Sequence, residues 1–334
     1  MVENFSMKTV IISGVNGQDG SYLAKLLLSK GYEVIGAKRR SSVINSERID
    51  DIYDHKHFHT EYFDLSDASS IQRIIAKYKP DEYYNLAAQS HVRVSFDVPE
   101  DTISGIINGT LYALEAIKNT SPETKFYQAS SSEQYGDNPD IPEKGFNEES
   151  KFYPASPYAI AKVAAHQLVR NYRVSYNLHA SCGILFNHES PVRSPTFVSR
   201  KITQACAKIK LGQQKKLVLG NLEAKRDWGY AGDYVEAMWL MLQQDKPDDY
   251  VIATGETYSV KDFLEKTFSY AGLGSYEEYV SFDKAYLRPQ EVPFLKGDAR
   301  KAERTFGWKP KIKLDDLVKK MYDEDYKALQ KENK

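Results

Sequence analysis

Short apolar runs rich in β-branched residues alternate along the first half of the chain with longer stretches in which apolar positions recur every three or four residues. The runs at 8–13, 32–38, 58–63, 81–88, 125–129 and 179–186 mostly lack the apolar/polar alternation of a one-sided sheet, so they read as strands covered on both faces. Between them, 21–30, 67–79, 97–119 and 157–176 carry helical spacing. Strand and helix in regular turn predict an α/β fold, a doubly wound parallel sheet. After Phe186 the texture changes. Residues 187–195 are polar and broken by proline, helical spacing returns at 196–211, 233–243, 259–271 and 314–331, and 250–253 and 279–282 look like short strands.

Composition narrows the partners. The 334 residues hold 45 basic and 46 acidic side chains, a formal charge of −1, so no long-range field draws in nucleic acid or an anionic membrane. Any anion has to be bound locally. No apolar run is long enough to span a bilayer, and the polar, acidic start does not read as a signal peptide. Cys182 and Cys206 have neither the number nor the spacing of a disulfide framework or a metal site. Small buried thiols in a reducing cytoplasm are expected instead. His55, His57 and His59 alternate, but carboxylates at ligand spacing are missing, so a wet loop accounts for them and no metal is expected.

The first run ends in Gly14-Val15-Asn16-Gly17-Gln18-Asp19-Gly20 and leads into a helix. Glycines there let a pyrophosphate approach the backbone, and the helix start offers it unpaired N–H groups. The spacing alone fits a plain tight turn. A dinucleotide is favoured by the next strand, which ends in Arg39-Arg40-Ser41-Ser42 where an adenosine ribose is read; two arginines suit a 2′-phosphate, hence NADP. The 125–129 run closes on Ser130-Ser131-Ser132-Glu133-Gln134-Tyr135-Gly136, at the sheet edge where such folds bind ligands. Tyr158 and Lys162 then stand four apart at a helix start, phenol and ammonium on one face, so the cation is expected to lower the phenol's pKa. Arg193, Lys201, Arg226 and Arg288 sit singly on later loops, and as a set they suit a diphosphate.

At these motifs the sequence resembles the extended short-chain dehydrogenase/reductase superfamily and, within it, the GDP-mannose 4,6-dehydratases. The likeness covers nearly the whole chain and is carried by 14–22, 39–42, 85–92, 126–136, 156–162, 183–191, 219–229, 233–242 and 288–291. It implies a Rossmann-type NADP-binding domain over 1–186, with return segments near 226–256, and a mainly nucleotide-sugar-binding lobe over 187–334. It makes Ser131, Glu133, Tyr158 and Lys162 catalytic. It carries cofactor contacts onto Gly14, Val15, Asn16, Gly17, Gln18, Asp19, Arg39, Arg40, Ser41, Ser42, Asp64, Leu65, Leu86, Ala87, Ala88, Gln89, Ser90, Tyr158, Lys162, His188 and Arg193. Substrate is placed against Ser90, Ser131, Glu133, Tyr158, Asn187, Lys201, Arg226, Arg288 and Glu291.

The implied reaction is internal redox on GDP-mannose, in which hydride leaves C4, water is lost across C5 and C6, and hydride returns to C6. Glu133 separates this reading from a 4-epimerase or 4-keto reductase of the same fold. Tyr158 and Lys162 speak against a sensor that only binds a dinucleotide. A GDP-heptose dehydratase is the nearer alternative, because the segment before Arg288 is short and Pro191-Val192-Arg193-Ser194 replaces the Pro-Arg-Arg-Gly of the relatives. Ser131 stands where the family more often has threonine, and Asp101 where relatives place a cofactor-binding tyrosine, so that contact is not expected. In relatives the helices matching 97–119 and 157–176 pair across a two-fold axis and the 39–42 loop reaches a neighbouring subunit. A dimer at least, and by preference a tetramer, is expected.

Overall fold

The computed structural model describes residues 7–42 and 45–332. Its first half runs β1 (Thr9–Ser13), α1 (Gln18–Ser29), β2 (Glu33–Lys38), β3 (Phe58–Tyr62), α2 (Ala68–Tyr78), β4 (Glu82–Asn85), α3 (Pro99–Thr120), β5 (Lys125–Ser131), α4 (Pro157–Tyr176) and β6 (Ala180–Leu185). The second half adds β7 (Asn187–Glu189), α5 (Val198–Lys210), β8 (Leu217–Leu219), β9 (Lys225–Arg226), β10 (Trp228–Tyr230), α6 (Ala231–Leu242) and β11 (Asp249–Ile252). It closes with β12 (Tyr258–Ser259), α7 (Val260–Ala271), β13 (Val280–Phe282), α8 (Arg300–Phe306) and α9 (Leu314–Glu332).

Seven strands form one parallel sheet in the order β11-β6-β5-β4-β1-β2-β3. Side chains alternate across it. Val10 and Ile12 face one core with α1 and α6, whereas Ile11 faces a second with α2, α3 and α4. Covering both faces explains why these strands read as continuous apolar runs. A third core, formed by α5, α7, α9 and β8 around Ile202, Phe263, Leu317 and Met321, lies beside the sheet. Helices α3 and α4 lie side by side, sharing Ile106, Tyr158, Ala161 and Ala165. Among the described residues no helix is long and apolar enough to cross a membrane.

The doubly wound expectation holds, with local differences. Helix α1 starts at Gln18 rather than 21, because Gly17 already sits in the extended N-cap position. Strand β4 stops at Asn85, short of the expected 88, because the N–H groups of Leu86 and Ala87 donate to Ser13 Oγ at 3.0 and 3.2 Å instead of to a neighbouring strand. The strand-like 250–253 run becomes β11, the seventh sheet strand, paired with β6. Helix α8 has no counterpart in the sequence reading, since seven residues are too few to show a period.

The sheet order reverses between β1 and β4. Crevices open at the carboxyl ends of strands at such a point. Gly14 (φ 75°) closes the floor here: a Cβ on it would lie 3.0 Å from Ala87 Cα.

Candidate active site

The crevice is a cleft of about 1310 Å³ that gathers the sheet edge, the glycine turn and loops of the second half. Its catalytic-looking wall is built from β5 and α4. At the end of β5, Ser131 Oγ accepts from Glu133 N at 3.2 Å and Gln134 Oε1 accepts from Ser131 N at 3.5 Å, a reciprocal cap that turns the chain sharply. Helix α4 starts on a Ser156 cap, with Ala159 N donating at 3.1 Å, and one turn separates Tyr158 from Lys162. Gln134 Nε2 donates to Lys162 O at 2.8 Å, and Lys162 Nζ donates to Ala129 O at 2.6 Å. Strand end and helix start are thus tied together in both directions. Ser131, Glu133, Tyr158 and Lys162 are all buried and all line the cleft.

Their electrostatics differ from the sequence expectation in one respect. Burial pushes the Tyr158 phenol up to about 12, and the Ser131 hydroxyl beside it is what pulls it back. Lys162 does not lower it: its ammonium is turned to the Ala129 carbonyl, 5.7 Å from the centre of the Tyr158 ring, and burial brings its own pKa down to about 8. A one-turn spacing placed the two groups on one face but did not say where the ammonium would point. For Glu133, burial pushes the carboxyl up, yet Arg288 and Arg226 outweigh it and hold the group below its ordinary value. Arg288 Nη1 lies 3.2 and 3.3 Å from the two Glu133 oxygens.

Most of the other expected residues also line the cleft: Gly14, Asn16, Gly17, Gln18, Asp19, Arg39, Ser41, Asp64, Leu65, Leu86, Ala87, Ala88, Gln89, Ser90, Asn187, His188, Arg193, Lys201, Arg226 and Glu291. Three do not. Val15 is buried, its side chain filling the space a Cβ on Gly36 would take, and Arg40 and Ser42 lie outside the lining. Asp19 is committed within the protein. His188 Nδ1 donates to Phe186 O at 2.7 Å and its Nε2 lies 2.8 Å from Asp19; burial opposes both charges, but the pairing lowers the Asp19 pKa and raises that of His188. Arg193 is ion-paired with Glu189 at 3.1 Å and stacks on Phe197. Lys201 sits 3.6 Å over the Tyr286 ring.

Sequence reasoning passed over Gln134, although Ser131-x-x-Gln134 is a capping-box pattern, and Tyr286, for which no signal existed. It also found no carboxylate near the alternating histidines. The structure supplies one from the next strand: Glu33 of β2 meets His57 at 2.9 Å and His59 at 2.5 Å. Cys182, read as an isolated thiol, lies beside His166 and Asp249, their ligand atoms within 4.8 Å of one another. The Arg173 guanidinium already grips both Asp249 oxygens, which makes this a buried ion-pair network.

A sequence profile described as GDP-mannose 4,6 dehydratase matches residues 11–321. The chain is similar to GDP-mannose 4,6 dehydratase 1 of Arabidopsis thaliana, 52% identical over 335 residues that cover 97% of this chain and 91% of that protein. It is also similar to the GDP-mannose 4,6 dehydratase of Homo sapiens, 49% identical over 96% of this chain and 91% of that one. Among solved structures, dTDP-glucose 4,6-dehydratase of Bacillus anthracis in complex with NAD superposes with a TM-score of 0.84 at 20% identity, covering 97% and 98% of the two chains. UDP-glucose 4-epimerase of Thermotoga maritima with UDP-glucose gives 0.83 at 23%, covering 96% and 99%. These two show a shared fold. With a profile match over most of its length and relatives about half identical to it, the chain belongs to the GDP-mannose 4,6-dehydratase family.

Proposed function

We propose that this protein dehydrates GDP-mannose to GDP-4-keto-6-deoxymannose while holding NADP through the whole turnover. The observation that carries the reading is Glu133, a buried carboxylate flanked by two arginines in the same wall as Ser131, Tyr158 and Lys162. Redox at C4 alone has no use for it. Elimination across C5 and C6 needs such a base. Relatives about half identical to this chain are named for the mannose substrate, and none of these observations favours a heptose.

The glycine turn fits a dinucleotide. Helix α1 begins without a side-chain cap, which leaves its first N–H groups for a pyrophosphate, and a Cβ at Gly20 would lie 2.3 Å from the Gly14 carbonyl oxygen, so the turn admits only bare backbone there. Gly14, Asn16 to Asp19 and Leu86 to Ser90 would hold the cofactor, with Asp64 and Leu65 toward its adenosine end. Arg39, in the lining near Asp64, supports NADP over NAD. The bound dinucleotide would supply a hydride acceptor for C4 and a hydride donor for C6.

Tyr158 accepts the 4-hydroxyl proton at its phenolate oxygen, and Ser131 holds the sugar oxygen in line. Lys162, whose ammonium is turned to the Ala129 carbonyl in the cofactor-free protein, would swing to the ribose hydroxyls and the phenolate once the dinucleotide is bound. Glu133 removes the C5 proton that the new ketone has made acidic, then delivers it to the 6-hydroxyl, which departs as water. The proton taken by Tyr158 balances the one C5 regains. Asn187, Lys201, Arg226, Arg288 and Glu291 face the nucleotide side.

The sheet half (1–186, with returns near 226–256) is then the cofactor domain, and 187–334 mainly the nucleotide-sugar lobe. Exposed Ile160, Val174 and Tyr176 on α4 support a dimer at least, and the tetramer expected from the family's 39–42 loop extends that reading. Two buried free cysteines support a cytoplasmic setting. The test of the reaction is GDP-mannose deuterated at C4: the label appears on C6 of the product. Label washed into solvent or kept at C4 sinks the proposal.

A further inference from the structure

Glu133 has two cationic neighbours, and they are held differently. Arg226 is buried, and its Nη1 donates to the carbonyls of Lys225 and Val292 at 2.9 and 2.8 Å, so its head is fixed by backbone. Arg288 is partly exposed and rides on the irregular segment after the 284–286 turn, anchored through its backbone N–H to Glu291 at 2.9 Å. Its guanidinium straddles the Glu133 carboxylate through one nitrogen. Such a single-nitrogen grip leaves the guanidinium's planar fork unused. That fork is the part that recognises phosphate oxygens best.

The pairing conflicts with the chemistry required of Glu133. A carboxylate held as a stable anion is a weak base, and it does not keep the proton it must carry from C5 to the departing 6-hydroxyl. Resting on the dehydratase reading above, we propose that Arg288 is a shared clasp: it holds Glu133 until the diphosphate of the nucleotide sugar draws it away, which frees the carboxylate as the base. Removing a cation from the carboxylate and placing anionic oxygens nearby act in the same direction, both favouring proton uptake. Arg226 stays behind and keeps the group from becoming a neutral acid before substrate arrives. The device makes the base available only when nucleotide is in place, so a bare sugar meets a masked carboxylate.

Arg288 is here a positioning residue, and the test reads the protonation of Glu133 itself. In the NADP holoenzyme, infrared difference spectra over an acid titration, with Glu133→Gln as the subtraction, give the midpoint of this one carboxyl. Saturating GDP is the probe, its binding followed by calorimetry. GDP moves the wild-type midpoint up by about one pH unit or more. Arg288→Gln starts with the midpoint already raised and GDP moves it less, whereas Arg288→Lys keeps the charge and starts near the wild-type midpoint but, lacking the fork, is moved less by GDP than wild type. A wild-type midpoint that GDP leaves in place, or one that Arg288→Gln does not raise, overturns the clasp. Either result leaves the C4-to-C6 label transfer untouched, and a failed label transfer leaves the titration untouched, so the two proposals fall separately.

Discussion

The two walls of the cleft are built on different principles. The wall made by β5 and α4 is stitched to itself by side chains that donate to main-chain carbonyls, Gln134 to that of Lys162 and Lys162 to that of Ala129. The other wall, drawn from the 191–197 loop, the start of α5, the segment ending in β9 and the 284–291 loop, presents cations. Three of them pair with side chains, Arg193 on Glu189, Arg288 on Glu133 and Lys201 on the Tyr286 ring, while Arg226 is held by backbone carbonyls. Groups that move protons need fixed positions, and regular elements fix them. Groups that recognise a long flexible ligand gain from loops whose side chains exchange partners.

The sharpest way to break this contrast is Tyr158→Phe. Loss of the phenol lowers kcat by about a thousandfold with circular dichroism and NADP retention unchanged; a variant within tenfold of wild type would remove Tyr158 from the proton transfer. Next comes Gln134→Ala, which leaves the buried Ser131 N–H and Lys162 carbonyl without this partner. It costs about 1–3 kcal/mol in chemical denaturation and lowers kcat more than it raises KM, because the brace positions the wall and not the nucleotide. On the other wall Lys201→Ala, in the first turn of α5, does the opposite. KM for GDP-mannose rises about tenfold, roughly 1.4 kcal/mol, at nearly constant kcat, and a kcat effect larger than the KM effect would erase the distinction between the walls.

The first wall was largely legible in the sequence and the second was not. Buried strands, a glycine turn and a one-turn Tyr158 to Lys162 spacing are local patterns, and the fold inherits them directly. Pairings such as Arg288 with Glu133 or His188 with Asp19 join positions 155 and 169 residues apart, and no local periodicity records which distant side chains will meet. The same limit applied inside the first wall: spacing placed Lys162 beside Tyr158, but burial and the Ala129 carbonyl decided the ammonium's direction and the phenol's high pKa.

A last expected effect concerns that lysine and is read in stability, not turnover. Burial lowers its folded-state pKa from 10.5 to about 8, so between those values the unfolded chain binds a proton that the folded chain has released. Its contribution to stability therefore rises with pH through this window and is least favourable below it. In cofactor-free protein, thermal melts across the window show a steeper rise for wild type than for Lys162→Met, and parallel profiles would contradict the burial assigned to Lys162.

Strand β11, drawn from Asp249–Ile252, is the outermost member of the sheet next to β6. During synthesis β6 leaves the ribosome long before its neighbour exists, and until then it presents an open row of backbone donors and acceptors. A fragment ending at Phe186 would keep the glycine turn and both central stretches, yet carry that sticky border permanently. Completion of the seven-stranded sheet thus waits on the polypeptide that follows β6, and until it arrives the open border of β6 is available to chaperones or sister chains.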